Sequence, residues 1–380
     1  MLQTVFYLTL VLFSGYAALI LYYALAWADI PEIGYAVSKG VGELPLVTII
    51  IPARNEAKNI GACLQSILAQ TYPASHLEIL VVDDHSTDET ASIIDGFSTV
   101  RRVNLADYPL EPGKQAYKKK AIDVAISLSK GALIVTTDAD CIASPGWIAT
   151  LVSAQIQTGA SLLVMPVQYH PIVTAMDIFQ ALDFMTLQGI TGASVHRGMH
   201  SMCNGANLAY TRKAFEAVGG FSGIDHIASG DDMLLMHKIY CWQPSGIVYL
   251  KLKEVIVQTP PAAGLRAFLQ QRIRWASKAD QYEDKRIFAV LLWVYLVNVW
   301  LLVLGIWSCW NIDVFKIFVS CLLGKIIVEL AYLLPVAQFF GAGFWVLFFP
   351  LAQPFHIVYT VVAGWLGKFG KYEWKGRTVK

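Results

Sequence analysis

Several short polar clusters in this 380-residue chain carry side chains able to do chemistry. Asp138-Ala139-Asp140 follows the apolar run 132–137, so two carboxylates meet at the expected carboxyl end of a strand. Hard oxygen ligands at that spacing suit Mg2+ or Mn2+ shared with the phosphates of a ligand. The same pair would also serve as turn and cap aspartates. Asp83-Asp84-His85-Ser86 ends a second apolar run, and Pro52-Ala53-Arg54-Asn55-Glu56 ends a third. Gly230-Asp231-Asp232 precedes MLLMHKI, where two acids suit a helix N-terminus with or without a chemical task. Gln271-Arg272-Ile273-Arg274-Trp275 adds two guanidinium groups and an indole within five residues.

These clusters need elements to position them. The runs 46–51 (LVTIII), 77–83 (LEILVVD) and 132–137 (ALIVTT) are apolar and rich in β-branched residues, as strands buried on both faces must be. Between them, 56–70 and 114–129 have helical spacing, and Ser86-x-x-Glu89 has the form of a capping box. Strand–helix alternation with short loops predicts an α/β domain over 44–258, a parallel sheet with helices on both faces. In such sheets ligands bind at the carboxyl ends of the strands, where the acids fall. No GxGxxG or GxxxxGK[ST] follows the first strand, which disfavours dinucleotide oxidoreductases and P-loop ATPases.

The rest of the chain is too apolar for a soluble protein. Hydrophobic residues make up 56% and charged residues 15%, against about 25% charged in soluble chains. That composition excludes disorder, and a net charge of +1 gives no basis for nucleic-acid binding. Six cysteines without a CxxC pair exclude a zinc ribbon and a disulfide scaffold, and they read as small core hydrophobes. Residues 1–30 are predicted to be a transmembrane anchor, preferred over a cleaved signal peptide because no Lys or Arg precedes the apolar run. Residues 287–367 hold about three further apolar segments, 287–310, 316–339 and 344–366. Pro350 and Pro354 are expected to kink or break the last of these. Lys325 and Glu329 stand i,i+4 on one helix and can neutralise each other. Residues 259–286 form a basic amphipathic segment, expected to lie at the membrane surface, and 368–380 form a basic tail.

PARNE, VVDDHSTDET, DAD, GDD and QRIRW occur in this order. Together they resemble the membrane-integrated family 2 glycosyltransferases with a GT-A fold and a Q(Q/R)xRW signature. That branch includes ceramide and carotenoid glucosyltransferases and the poly-N-acetylglucosamine and hyaluronan synthases. The resemblance covers about 44–285. It implies a Rossmann-like nucleotide-diphospho-sugar transferase domain between N- and C-terminal transmembrane helices, and a divalent cofactor, Mg2+ or Mn2+. By matching positions it implies that Glu56, Asp83 and Asp84 hold base and ribose, and that Lys118, in a run of three lysines, reaches the diphosphate. Asp138 and Asp140 would hold the metal, Asp140 directly, and Asp232 would be the general base. Gln271, Arg272 and Arg274 would bind the pyrophosphate, and Trp275 would serve the acceptor. Asn204 and Gly205 fall in the acceptor-side loop.

The expected activity is inverting transfer of a sugar from a nucleotide sugar, UDP-linked in the first instance, to a membrane lipid. The alternatives are a processive polysaccharide synthase and an inactive scaffold subunit. Four spans look few for a monomeric pore, and the intact acids speak against a dead scaffold. Partners would be the nucleotide sugar, a lipid or glycan acceptor and the bilayer, with no nucleic acid. The expected location is an integral membrane protein (the inner or plasma membrane of a bacterium) with the catalytic domain in the cytosol. A cytosolic domain and three full spans after it would put the C-terminus outside, whereas Lys368, Lys371, Lys375, Arg377 and Lys380 want it inside. The Pro-bearing 344–366 stretch is therefore the candidate for a re-entrant segment.

Overall fold

The computed structural model describes residues 2–31, 43–108, 110, 116–199, 202–227, 230–277 and 284–370, with the backbone of 372–374 and 377–379. His200, the end of the amphipathic segment (278–283) and most of the basic tail's side chains lie outside the described residues. The chain divides into two compact units. One comprises Ile30–His170 and Ser194–Pro260; the other comprises Met1–Asp29, Pro171–Ala193 and Pro261–Lys380.

The first of these units is α/β. After α1 (Leu2–Asp29), which belongs to the other unit, come β1 (Val47–Ala53), α2 (Ile60–Leu68), β2 (Leu77–Asp83), α3 (Thr90–Asp95) and β3 (Arg101–Asn104). Next are α4 (Tyr117–Leu128), β4 (Leu133–Thr136), β5 (Ile142–Ala143), α5 (Trp147–Thr158), β6 (Leu162–Val164) and β7 (Val167–Tyr169). Helix α6 (Ala175–His196) lies mostly in the other unit, and β8 (Leu208–Thr211), α7 (Arg212–Ala217), α8 (Asp231–Trp242), β9 (Ile247–Tyr249) and β10 (Val257–Thr259) complete this one.

Among the described residues, seven strands form the main sheet in the order β3-β2-β1-β4-β8-β6-β9. Strands β1 to β4 are mutually parallel, with Val47 opposite both Leu77 and Leu133. The sheet is nonetheless mixed rather than wholly parallel, because β8 runs antiparallel to both β4 and β6. A single reversed strand in an otherwise parallel sheet is a common compromise. The central strands are buried on both faces, which is why 49–51 and 79–82 are unbroken apolar runs. Where the chain turns into β4, the Gly131 amide donates to Thr48 Oγ1 at 2.9 Å, and a Cβ at Gly131 would lie 2.4 Å from that oxygen. Only glycine allows that approach.

Two local expectations change. Helix α2 starts at Ile60 rather than Glu56: residues 56–59 form a tight turn instead, the Asn59 amide donating to the Glu56 carbonyl at 2.9 Å, while the Glu56 and Ala57 amides donate to Thr90 Oγ1 (2.8 Å) and Asp88 Oδ2 (3.1 Å). The capping box does not form: Glu89 caps α3 without a side-chain bond, and Ser86 Oγ accepts from the Asn55 amide at 3.0 Å. The cysteines also divide: Cys63 and Cys141 are buried, but Cys241 and Cys309 are exposed.

The other unit is helical. It contains α1, the body of α6, α9 (Gly264–Ala276), α10 (Lys285–Trp307), α11 (Ile312–Phe339) and α12 (Phe349–Phe369), with a 3-10 turn at Gly343–Phe348 before α12. The strands β11 (Tyr372–Trp374) and β12 (Arg377–Val379) pair antiparallel at its end. Among the described residues, four helical segments are long and apolar enough to cross a membrane: Leu2–Asp29, Lys285–Trp307, Ile312–Phe339 and Gly343–Phe369. The expected break at the prolines falls elsewhere. Pro350 sits in the first turn of α12, where its missing N–H costs nothing, and α12 continues through Pro354. The change of helical geometry lies before both, at 343–348.

Inside this unit Lys325 and Glu329 pair as their spacing suggests, at 2.7 and 2.9 Å, and the pair is buried. Lys325 Nζ also donates to Gln353 Oε1 (2.7 Å), Gln353 Nε2 donates to Glu329 Oε2 (2.7 Å), and the Tyr16 hydroxyl donates to Glu329 Oε1. One polar knot thus joins α1, α11 and α12, with both charges compensated.

Candidate active site

At the carboxyl end of the parallel strands, two loops are stitched into one wall. The Asn55 side chain accepts from the Thr87 amide at 2.8 Å, while its own amide donates to Ser86 Oγ at 3.0 Å. Asn55 and His85 both have positive φ, 53° and 56°. A left-handed backbone at two non-glycine residues is strain that persists only where surrounding bonds hold it. Asp83 and Asp84 lie beneath this wall, nearly buried. Asp83 Oδ1 accepts from the Ser86 amide at 3.0 Å, and Asp84 Oδ1 meets His85 Nδ1 at 2.9 Å. Glu56 Oε2 accepts from Asn59 Nδ2 at 2.8 Å. Glu56, Asp83 and Asp84 therefore share one wall. Arg54 braces it by donating to the Asp84 carbonyl at 2.8 Å.

The second group lies at the end of β4. Asp138 and Asp140 are partly exposed in a tight turn, where the Cys141 amide donates to the Asp138 carbonyl at 3.1 Å. Lys118, in the first turn of α4, donates to Asp138 Oδ1 at 2.8 Å and lies 3.5 Å from Asp231 Oδ2. Burial alone would push its ammonium down, but Asp138, Asp231 and Asp232 more than offset that, and its pKa is raised. Lys118 is thus a fixed positive charge among three acids. Cys63 packs under the same turn, its thiol pushed up to about 12 by burial, with Asp140 and Asp138 adding to the effect. It is a protonated packing group there.

Gly230, at φ 78°, turns the chain into α8 and sets Asp231 and Asp232 in its first turn. Asp231 is buried, whereas Asp232 keeps partial exposure. Asp232 Oδ2 accepts from the Gly205 amide at 3.1 Å and Oδ1 from its neighbour Met233 at 2.8 Å. Gly205 lies tight against this group: a Cβ there would come 3.1 Å from Asp231 Oδ2 and 3.3 Å from Lys118 Nζ. Asn204 Oδ1 accepts from the Ala206 amide at 3.0 Å and shapes that turn. The turn is anchored by Asn207, fully buried, which accepts from Trp147 Nε1 (3.0 Å) and donates to the Pro166 and Val255 carbonyls (2.7 Å each). Lys118, Asp138, Asp231, Asp232, Asn204 and Gly205 are thus brought together. Asn55, His85 and Asn207 were not singled out from the sequence. Asn207 could have been suspected from the Asn-Gly-Ala-Asn string; Asn55 and His85 are of types enriched at positive φ, but type alone does not say that the chain adopts it there.

Gln271, Arg272, Arg274 and Trp275 lie on α9, in the helical unit. There Arg272 is buried and its Nε donates to Asp183 Oδ2 at 2.9 Å, with Nη1 donating to Gln271 Oε1 at 2.8 Å. Arg274 and Trp275 remain partly exposed.

Residues 48–219 match the model of glycosyl transferase family 2. The chain is 29% identical over 259 residues, 66% of its length and 80% of the relative's, to glycosyltransferase AglE of Haloferax volcanii. It is 24% identical over 251 residues to the beta-monoglucosyldiacylglycerol synthase of Synechocystis sp., covering 62% of this chain and 48% of that relative. Among solved structures, the mannosyltransferase PcManGT from Pyrobaculum calidifontis, in complex with GDP-Man and Mn2+, aligns over 97% of this chain and 99% of its own, with a TM-score of 0.58 at 21% identity. That likeness bears on fold. Apolar helices flank a mixed-sheet α/β domain of the GT-A kind, residues 48–219 match glycosyl transferase family 2, and the chain is a glycosyltransferase.

Proposed function

We propose that the chain transfers one sugar, with inversion, from a nucleoside diphosphate sugar to a membrane lipid. The observation that carries this reading is a pair of acids with different partners, one after β4 and one in the first turn of α8. Asp138 is neutralised by Lys118, whereas Asp232 is held by the Gly205 amide and stays partly exposed. In this reading the acceptor hydroxyl gives its proton to Asp232 as its oxygen bonds to the anomeric carbon. The bond to the diphosphate oxygen breaks on the opposite face, and the diphosphate leaves with the electron pair. Glu56, Asp83 and Asp84 hold the nucleotide, UDP in the first instance. Lys118, Gln271 and Arg274 take the diphosphate, and Trp275, Asn204 and Gly205 take the acceptor.

A divalent ion suits the donor set. Asp138 and Asp140 offer two hard carboxylates, and among the described residues no group of three His, Cys, Asp or Glu gathers to enclose a metal. Mg2+ or Mn2+ commonly completes its shell with substrate phosphates at such a site. Bound there, the ion would neutralise charge on the leaving diphosphate.

The Synechocystis relative is a beta-monoglucosyldiacylglycerol synthase, and the Pyrobaculum mannosyltransferase is in complex with GDP-Man and Mn2+. Four candidate spans among the described residues favour single transfer over extrusion of a polymer. The catalytic domain is placed in the cytosol, where nucleotide sugars are made. The test is a screen of UDP- and GDP-sugars with the purified full chain, Mn2+ and extracted membrane lipids, with products weighed by mass spectrometry. A lipid gaining one hexose mass supports the proposal. A ladder of added sugars would replace it with polymer synthesis.

A further inference from the structure

Asp183 on α6 is buried and faces side chains of α9 and α12 in its own unit. Arg272 donates to Oδ2 from Nε at 2.9 Å and from Nη2 at 2.5 Å. The Tyr359 hydroxyl donates to Oδ1, and His356 Nε2 lies 3.8 Å from the same oxygen. The guanidinium fork is therefore engaged inside the unit. Its carbon also stands 4.7 Å from the centre of the Phe268 ring and 4.2 Å from that of Trp275. Phe184, beside Asp183, meets the Trp275 ring at 6.0 Å. Around them Phe179, Phe268, Ile273, Tyr359 and Ala363 pack as one apolar cluster.

This arrangement gives Arg272 a different task from Arg274. A guanidinium paired side-on with a buried carboxylate is costly to release, because release leaves a charge unpaired in an apolar setting. Its flat face meanwhile lies on the indole, an attraction that sets where the ring sits. We infer that Asp183 and Tyr359 are positioning residues: they lock Arg272, and Arg272 holds the Trp275 ring at the angle from which it receives the acceptor. Arg272 then serves the acceptor side through Trp275 and leaves the diphosphate to Arg274 and Gln271. The inference rests on the reading of Trp275 as an acceptor residue. It adds two residues, on α6 and α12, that no motif contains.

The test uses the full chain in detergent, labelled with 5-fluorotryptophan. The sequence has eleven Trp, so the Trp275 fluorine resonance is identified as the one lost in Trp275→Phe. Asp183→Asn and Arg272→Lys should both shift or broaden that resonance. Affinity for UDP and GDP, titrated with Mn2+, should stay within about threefold of the parent, while transfer to extracted lipids falls about tenfold or more, the effect of losing one charge-assisted bond. If Asp183→Asn does not fold, Tyr359→Phe removes one hydroxyl and carries the same test. An unmoved Trp275 resonance overturns the inference. So does a loss of nucleotide affinity in Arg272→Lys as large as in Arg274→Lys, which would return Arg272 to the donor side. If the resonance moves but Trp275→Phe and Trp275→Ala transfer normally, the lock stands and the acceptor role of Trp275 falls.

Discussion

Replacing Gly205 by alanine adds one methyl group at the point where the two acids and the lysine converge. The new Cβ would lie 3.1 Å from Asp231 Oδ2, 3.3 Å from Lys118 Nζ and 3.6 Å from Asp232 Cβ. Neighbours must give by a few tenths of an ångström, so overpacking costs about 1 kcal/mol, the low end for an added methylene. The backbone is not left-handed there, and alanine restricts the unfolded chain, which returns about 0.4–1 kcal/mol. Stability should hardly change. Chemistry should change, because the displaced groups are the ones proposed to hold diphosphate and acceptor proton. Loss of one hydrogen bond to a charged group is worth about 1.5–3 kcal/mol, or about ten- to hundredfold in rate. The assay is transfer to lipid beside thermal melting and nucleotide titration. A Gly205→Ala chain that melts normally and transfers at the parent rate would refute the placement of this site.

Other outcomes follow from the same geometry. Asp232→Asn should lower turnover by about hundredfold or more while nucleotide affinity, read by titration, stays near that of the parent; a lost affinity would move Asp232 to the donor side. Asp140→Ala should abolish stimulation by Mn2+ with the melting curve unchanged, and full parent activity in excess chelator would remove metal from the mechanism. Asn207→Ala strands the Trp147 N–H and the Val255 carbonyl, while the Pro166 carbonyl keeps the Val257 amide, so about 3 kcal/mol of stability should go, seen as a lower melting midpoint.

What could be read in the chain and what could not divide along physical lines. A strand covered on both faces has to be apolar throughout, so LVTIII and LEILVVD announced themselves, and the acids after them marked the ligand end of the sheet. The reversal of β8 had no such mark. Leu208–Thr211 is as apolar as its neighbours, and strand direction is set by where the chain re-enters. Ser86-x-x-Glu89 had the spacing of a cap, yet Ser86 was drawn to Asn55, whose approach depends on the tertiary fold. Local spacing found the Lys325–Glu329 pair because both ends share one helix. It could not find Asp183 with Tyr359, which are 176 residues apart. Arg272 looked like one more charge on a basic face until α6 supplied its carboxylate.

The polar knot has a consequence for how the molecule is made. Tyr16 and Glu329 are 313 positions apart, so α1 depends on a helix that is synthesised long after it. Helix α11 forms with its own Lys325 and Glu329 already paired as neighbours, whereas the Tyr16 hydroxyl of α1 has to wait without that partner. Assembly of the helical unit is therefore a late event in biosynthesis, completed only when α12 brings Gln353 to close the knot. Until then α1 stands without its carboxylate partner, and the α/β unit encoded between the two helices can fold before the helical unit is closed.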